Sequence, residues 1–287
     1  GEFIKIYDLS SLQTQFLAGE RCDVATLEWY NTHIPVPAID HWWQTESGWP
    51  MVSNMIGVEK PIVKPGSVGK AVCGYDIRIF DENGKELDAN DEGFVVIKLP
   101  LPPGTLLDLW KDNARFKSDY LTKFPGFYFS GDGGYKDEDH YIFITGRVDD
   151  VINVAGHRLS TSEMEEIVAS HNSVAECAVV GINDALKGQV PLALVVTKLG
   201  ETMEHFQLEQ EIVQLVRKQI GAVASLRNVV IVQRLPKTRS GKILRKLMRS
   251  IADGDNFQVP STIDDENIVD EIIEVLTKYE IGTYGIK

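Results

Sequence analysis

The first segment with chemical potential is Asp40-His-Trp-Trp-Gln-Thr-Glu46, continued by Ser47-Gly-Trp-Pro50. Three tryptophans in eight residues can wall a pocket and stack on a planar ring. Thr45 and Glu46 set a hydroxyl and a carboxylate beside that wall, suited to a phosphoryl oxygen and to Mg2+. A tryptophan-rich loop packed into the core is the alternative. The second segment is Gly131-Asp-Gly-Gly134, followed by Gly146-Arg-Val-Asp-Asp150. Glycines let a backbone approach a ligand closely. A carboxylate such as Asp132 can bind two adjacent ribose hydroxyls, and the planar fork of Arg147 matches phosphate oxygens. The plainer reading is two hairpin turns with Arg147 in a surface ion pair.

The third segment is Asn153-Val-Ala-Gly-His-Arg-Leu-Ser160, where a glycine among small and basic residues suits close passage of a cofactor arm. His157 has no Cys or His at metal-ligand spacing, so a zinc site is rejected. The fourth is residues 234–249, with seven basic side chains in sixteen positions and no acid. That local inversion points to a polyanion, or to an amphipathic basic helix facing water. Lys242 follows Ser240-Gly241, which places it on a mobile turn ahead of the helix, able to reach a phosphate and a carboxylate together. Gly66-Ser-Val-Gly-Lys70 lacks the spacing and hydroxyl of a phosphate-binding P-loop, and no G-x-S-x-G nucleophile elbow occurs.

These segments need elements to hold them. Val36 to Ile39 reads as a strand ending at Asp40, after a helix over 23–32 capped by Asp23. Residues 66–145 carry β-type runs, Tyr75 to Phe80 and Gly93 to Lys98, around the turn Asp81-Glu-Asn-Gly84. Beyond Asp150, a helix capped by Ser160 or Thr161 is followed by strands at 175–181, 192–196 and 228–232, with an amphipathic helix at 206–220. Residues 253–287 are acidic and end in a weak helix at 268–276. The fold class is therefore α/β with a small β unit, followed by a compact α+β domain.

Composition narrows the field. The 287 residues have room for about two domains. A hydrophobic share of 43% excludes a disordered or collagen-like chain, and no apolar run approaches the ~20 residues of a membrane span. A net charge of −13 argues against nucleic acid and anionic membranes as partners. Cys22, Cys73 and Cys177 are scattered and odd in number, as expected of reduced thiols. The start shows no secretory signal and no Arg-rich transit segment, and the chain opens without Met. A cytoplasmic or mitochondrial-matrix location is expected, with any targeting region out of view.

Taken together, the segments resemble the adenylate-forming acyl-CoA synthetases, nearest to the propionyl-CoA and acetyl-CoA synthetase branch. The resemblance runs from about residue 7 to 276. It is carried in order by Leu17-Ala-Gly-Glu-Arg21, Asp40 to Glu46, Tyr128-Phe-Ser-Gly-Asp-Gly133, Gly146 to Arg158, and Pro236-Lys-Thr-Arg-Ser-Gly-Lys242. Ser47-Gly-Trp-Pro50, Leu99-Pro-Leu-Pro-Pro-Gly104 and Leu186-Lys-Gly-Gln-Val-Pro191 look like the propionyl branch.

The resemblance implies ligation of propionate or acetate to coenzyme A through an acyl-AMP, with ATP, Mg2+ and coenzyme A as cofactors and small molecules as partners. It implies that Gly19, Glu20 and Arg21 line the adenine side, and that Asp40, His41, Trp42, Trp43, Gln44 and Thr45 complete the nucleotide wall. Trp43 would close a short acyl pocket, and the double tryptophan at Trp42 and Trp43 argues against a carrier-protein-loading enzyme. Glu46 would help hold Mg2+. Asp132 would bind ribose, Arg147 ribose or phosphate, and Arg158 phosphate. Lys242 would be the adenylation lysine, assisted by Thr45 and Glu46, and a target for a lysine acylase and deacylase. Asp149 would be the hinge. Ala155, Gly156 and Arg217 would serve coenzyme A, and Ala169, His171 and Val174 would offer carbonyls to a cation.

The domains implied are 1–148, the C-terminal part of the AMP-binding domain; 149–252, a mobile α+β domain; and 253–287, an acidic tail. The family's phosphate loop and its Lys fall upstream of residue 1. The 287 residues alone are thus expected to adenylate poorly, since losing one such donor costs ~3–4 kcal/mol. They are also expected to expose a sheet edge and apolar surface. The alternative is a catalytically incompetent fragment that binds nucleotide or a partner.

Overall fold

The structure is a computed structural model; it describes residues 2–19, 22, 24–59 and 62–285. The chain divides into two compact units, with the boundary after Asp149. No helix among the described residues is long and apolar enough to cross a membrane.

In the first unit, β1 (Gln15–Leu17), α1 (Val24–His33) and β2 (Ala38–Asp40) form a β-α-β passage in which the strands run parallel, Leu17 opposite Asp40. The cap expected at Asp23 lies outside the described residues. A short antiparallel pair follows, β3 (Val52–Ser53) with β4 (Lys70–Ala71). Next come β5 (Ile77–Phe80), β6 (Gly93–Lys98), α2 (Asn113–Tyr120), β7 (Phe127–Lys136) and β8 (Ile142–Arg147). The four strands make an antiparallel sheet in chain order. Side chains alternate across a strand, so β6 feeds two cores. Val95 and Ile97 join Ile77, Ile79 and Tyr128 on one side, while Phe94 and Val96 join Phe80 and Phe124 on the other. That is why this run reads as continuously apolar.

The second unit begins with a hairpin, β9 (Ile152–Val154) and β10 (His157–Leu159), which the sequence reading missed. Then follow α3 (Thr161–Ala169), β11 (Val174–Asp184), β12 (Gly188–Thr197), α4 (His205–Gln219), β13 (Asn228–Ile231), α5 (Arg245–Asp253) and α6 (Ile268–Lys278). Ser160 rather than Thr161 caps α3, its Oγ accepting the Glu163 N–H at 3.2 Å, while Thr161 is buried in the first turn. The sheet order is β10-β9-β12-β11, with β13 parallel to β12. Alternation again builds two cores. Val179, Ala193 and Val195 pack with α3 and α4, and Ala178, Val180, Leu192 and Leu194 with α5 and α6. The segment read as an acidic tail is part of that second core: Ile263, Ile268, Ile272, Leu276 and Ile281 are buried in it. Apart from Asp253, whose side chain is 2% exposed, its acids lie at the surface or half-buried, while its apolar residues, at helical spacing, face in.

Candidate functional site

In the first unit the site grows from Asp132. Gly131 to Gly134 is no turn; it is the middle of β7. Glycine is required there for packing. At Gly131, φ is +74° and an added Cβ would lie 2.6 Å from Arg147 Nη2; at Gly134 it would lie 2.4 Å from the Phe143 carbonyl oxygen. Asp132 is therefore a strand residue, only 6% exposed, with a carboxylate held by three neighbours. Gln44 Nε2 donates to Oδ2 at 2.7 Å, Trp42 Nε1 donates to the same oxygen at 3.2 Å, and Arg147 Nη1 lies 3.6 Å from Oδ1. Arg147 also donates from Nε to Asp149 Oδ1 at 3.1 Å and from Nη1 to the Ser130 carbonyl at 3.2 Å. The register of β7 with β8 places Asp132 directly opposite Arg147.

The loop after β2 supplies the other wall. Asp40 is buried; its Oδ1 accepts the His41 N–H at 2.8 Å and its Oδ2 accepts the Cys22 N–H at 3.2 Å. Burial pushes the His41 imidazole below its ordinary range, against backbone bonds at Leu17 and Ile39 that push the other way. The three tryptophans separate. Trp42 is 8% exposed and belongs to the core, while Trp43 is 45% exposed and Trp49 is 64% exposed. The core alternative holds for Trp42 alone. Thr45 is exposed on the turn that follows. Gly19, beyond β1, has φ +102° and open space where a Cβ would be. Glu20 and Arg21 lie outside the described residues.

Two tyrosines that the sequence reading gave no role complete this wall. Tyr120 Oη donates to Glu46 Oε1 at 2.8 Å, and its ring stacks on Tyr128 with centroids 5.5 Å apart and an 8° interplanar angle. Tyr128 Oη donates to Gln44 Oε1 at 2.9 Å, and Gln44 in turn holds Asp132. A continuous run of contacts thus joins the Glu46 carboxylate to the Asp132 carboxylate. The only sequence signal for Tyr128 was its place in the Tyr128-Phe-Ser-Gly-Asp-Gly133 motif; Tyr120 had none.

Burial and the Glu46 hydrogen bond raise the Tyr120 phenol to about 12, and burial raises Tyr128 further still. Because the folded value is raised, the Tyr120–Glu46 bond is present below the ordinary tyrosine range and is lost as the pH rises through about 12. Spectrophotometric titration of the nine tyrosines should show several late-ionising groups, Tyr128 and Tyr279 beside Tyr120, with the absorbance change of one of them missing in Tyr120→Phe. An unchanged high-pH limb in that variant would contradict the assignment.

In the second unit, Ala155 and Gly156 form the two-residue turn of the β9–β10 hairpin, both with positive φ, +48° and +89°. The Ala155 N–H donates to the Lys187 carbonyl at 2.8 Å, and Lys187 Nζ donates to Ser225 Oγ at 2.8 Å. Arg158 is exposed on β10, and Arg217 is exposed in the last turn of α4. At the proposed cation position, the His171 carbonyl accepts the Val174 N–H at 3.0 Å, leaving one lone pair. The His171 ring is engaged by Glu211 Oε2 at 3.1 Å and by the Ser173 N–H at 3.2 Å. Ala169 ends α3. Among the described residues, no group of three or more His, Cys, Asp or Glu side chains is placed to hold a metal. One carboxylate such as Glu46, with one oxygen outside the Tyr120 bond, is the donor set Mg2+ takes when a substrate supplies phosphate oxygens.

Lys242 lies on a turn, as expected, but the turn is pinned. The Thr238 N–H donates to the Lys242 carbonyl at 2.8 Å, the Lys242 N–H to Thr238 Oγ1 at 3.1 Å, and the Gly241 N–H to the Thr238 carbonyl at 2.8 Å. The basic run of 234–249 resolves into two sets. Arg234 meets Asp265 and Glu271, Lys237 meets Glu176, Arg245 meets Glu165, and Arg249 lies near Asp253. Arg239, Lys242 and Lys246 are exposed and carry no ion pair among the described residues.

An AMP-binding enzyme family model matches residues 2–102, and the AMP-binding enzyme C-terminal domain matches residues 163–242. The chain belongs to this adenylate-forming, AMP-binding family. It is 50% identical over 273 residues to acyl-CoA synthetase short-chain family member 3, mitochondrial, of Mus musculus, covering 95% of this chain and 40% of the relative. It is 43% identical over 280 residues to the propionate–CoA ligase of Escherichia coli, covering 95% and 44%. Among solved structures, an anthranilate CoA ligase in complex with anthranoyl-AMP matches with a TM-score of 0.74 at 30% identity, over 87% of this chain and 46% of that one. The chain spans less than half the length of these proteins.

Proposed function

We propose that this chain is the C-terminal portion of a short-chain acyl-CoA ligase acting on propionate or acetate. The observation that carries the reading is the Asp132 carboxylate, buried yet fixed by Trp42, Gln44 and Arg147 in an orientation suited to vicinal hydroxyls. In this reading a substrate carboxylate oxygen bonds to the α-phosphorus of ATP while the bond to the β-phosphate oxygen breaks, releasing pyrophosphate. The thiolate sulfur of coenzyme A then bonds to the acyl carbon, and AMP leaves with the carboxylate oxygen. Asp132 and Arg147 hold the ribose, and the wall from Asp40 to Thr45 holds the base, with Gly19, Glu20 and Arg21 on its adenine side. Trp43 limits the acyl chain to two or three carbons. Glu46, oriented by Tyr120, would hold Mg2+, which supplies charge neutralisation at the phosphates.

Lys242 and Arg158 contact phosphate in the adenylation pose. Ala155, Gly156 and Arg217 face coenzyme A in the second, with Asp149 the hinge between them. Ala169, His171 and Val174 would offer carbonyls to a cation. Acylation of Lys242 by a lysine acylase would remove its charge and silence adenylation.

Calorimetry on the chain with AMP and a non-hydrolysable propionyl-AMP mimic, beside a pyrophosphate-release assay, tests this. Binding is expected, and Asp132→Asn should weaken it about tenfold, since one charge-assisted pair of hydroxyl bonds is lost. Equal affinity in the variant would remove Asp132 from the ribose site. Binding without turnover would favour the nucleotide-binding fragment.

A further inference from the structure

The AMP-binding C-terminal match ends at residue 242, and the chain continues for a further stretch that the match leaves undescribed. Residues 260–271 of that stretch return to the Lys242 turn. The Arg239 N–H donates to the Thr262 carbonyl at 2.9 Å, and the Asp264 N–H donates to the Lys237 carbonyl at 2.9 Å, flanking a bridge between Thr238 and Ile263. Ile263 anchors this seam in the core beside Leu235 and Leu247. On its flank Arg234 is gripped by two carboxylates. Its Nε and Nη2 reach Glu271 at 3.1 and 2.5 Å, and its Nη1 reaches Asp265 at 2.7 Å.

We propose that residues 260–271 are a positioning element for the Lys242 turn, with the Asp265–Arg234–Glu271 clamp setting how firmly that turn is held. The physical case rests on shared geometry. An isolated exposed ion pair contributes little, but a planar guanidinium held by two carboxylates loses little further side-chain freedom when the second engages. The clamp sits at the start of the 234–242 segment and the backbone seam at its middle, so the arm of the hairpin opposite Lys242 is tied at two points to the same stretch of chain. Arg234 itself lowers the Asp265 and Glu271 carboxyls from their ordinary values, consistent with an engaged clamp. The role of the lysine that is being positioned rests on the ligase reading; the positioning does not.

Amide hydrogen exchange on the 287-residue chain tests it. In Asp265→Asn/Glu271→Gln, the amides of Thr238, Arg239, Gly241 and Lys242 should exchange about threefold to tenfold faster, with those of β11 and α4 unchanged. Asp265→Asn alone should accelerate them less, because the two-bond Arg234–Glu271 pair stays in place. Unchanged exchange at 238–242, or an acceleration spread evenly over the second unit, would overturn the proposal. Failure of the ligase reading is a separate result: no binding of AMP or of the propionyl-AMP mimic, with the exchange pattern intact.

Discussion

In a ligase that joins this chain to a phosphate-binding loop, replacing Lys242 by methionine is expected to lower pyrophosphate release from ATP and propionate about 10²- to 10³-fold, the usual cost of removing one preorganised charge from a developing phosphate charge. Conversion of supplied propionyl-AMP and coenzyme A to thioester should stay near wild type. The reasoning starts from what surrounds the amine. Lys242 is exposed, without an ion pair among the described residues, and its backbone is fixed on both sides by Thr238. A cation outside any ion pair among the described residues contributes little to the fold, so methionine should leave the unfolding transition in place. The four basic residues around it that do have carboxylate neighbours make a useful contrast, since changing Arg234 or Arg245 disturbs packing as well as charge. A wild-type chain that releases pyrophosphate, beside a Lys242→Met variant that matches it, would take the lysine out of the first step. Equal loss of both half-reactions would show that the variant had damaged more than the phosphate contact.

The largest expected effect on stability is at Glu165. Its carboxylate accepts both arms of Arg245, from Nε at 2.9 Å and Nη2 at 3.0 Å, and also the N–H of buried Val179 at 2.8 Å. The side chains are 14% and 18% exposed, so the pair is largely withdrawn from water. Glu165→Ala takes the carboxylate away from a largely buried guanidinium and a strand N–H together, which should cost the second unit about 3 kcal/mol. In calorimetry this would move one unfolding transition down by about 10 °C and leave the other, since the units have separate cores. Glu165→Met with Arg245→Leu should recover much of the loss, because removing both charges leaves no unpaired ion. If Glu165→Ala alone melts like wild type, the pair carries no net stability.

Some of this architecture was legible from residues alone. Alternation and composition located β6, β13 and α4 closely, because each strand or helix has to bury an apolar face of the right period. Capping chemistry located the start of α3 at Ser160 or Thr161, and the structure selects Ser160, whose oxygen replaces a missing carbonyl partner. Other elements carried no such signal. Gly131 to Gly134 looks like a turn because glycine is usually conformational freedom. Here it is the absence of a side chain, which lets the guanidinium of Arg147 and the Phe143 carbonyl approach the strand. The β9–β10 hairpin was missed because Ala155 takes a positive φ that its residue type does not advertise.

The sequence by itself determined which side chains could meet a nucleotide and in what order, because motif spacing is a property of the chain. Asp40, Glu46, Asp132, Arg147 and Lys242 can all be picked out by type. Tertiary structure alone decided which groups hold them. Tyr120 and Tyr128 reach Glu46 and Gln44 across more than seventy residues, and Glu271 reaches Arg234 across thirty-seven. It also decided which tryptophan belongs to the core and which of the seven cations in 234–249 lack an ion pair among the described residues. Hydrogen-bond partners and burial depend on distances through space, and residue type constrains those only after the sheets have brought remote segments together.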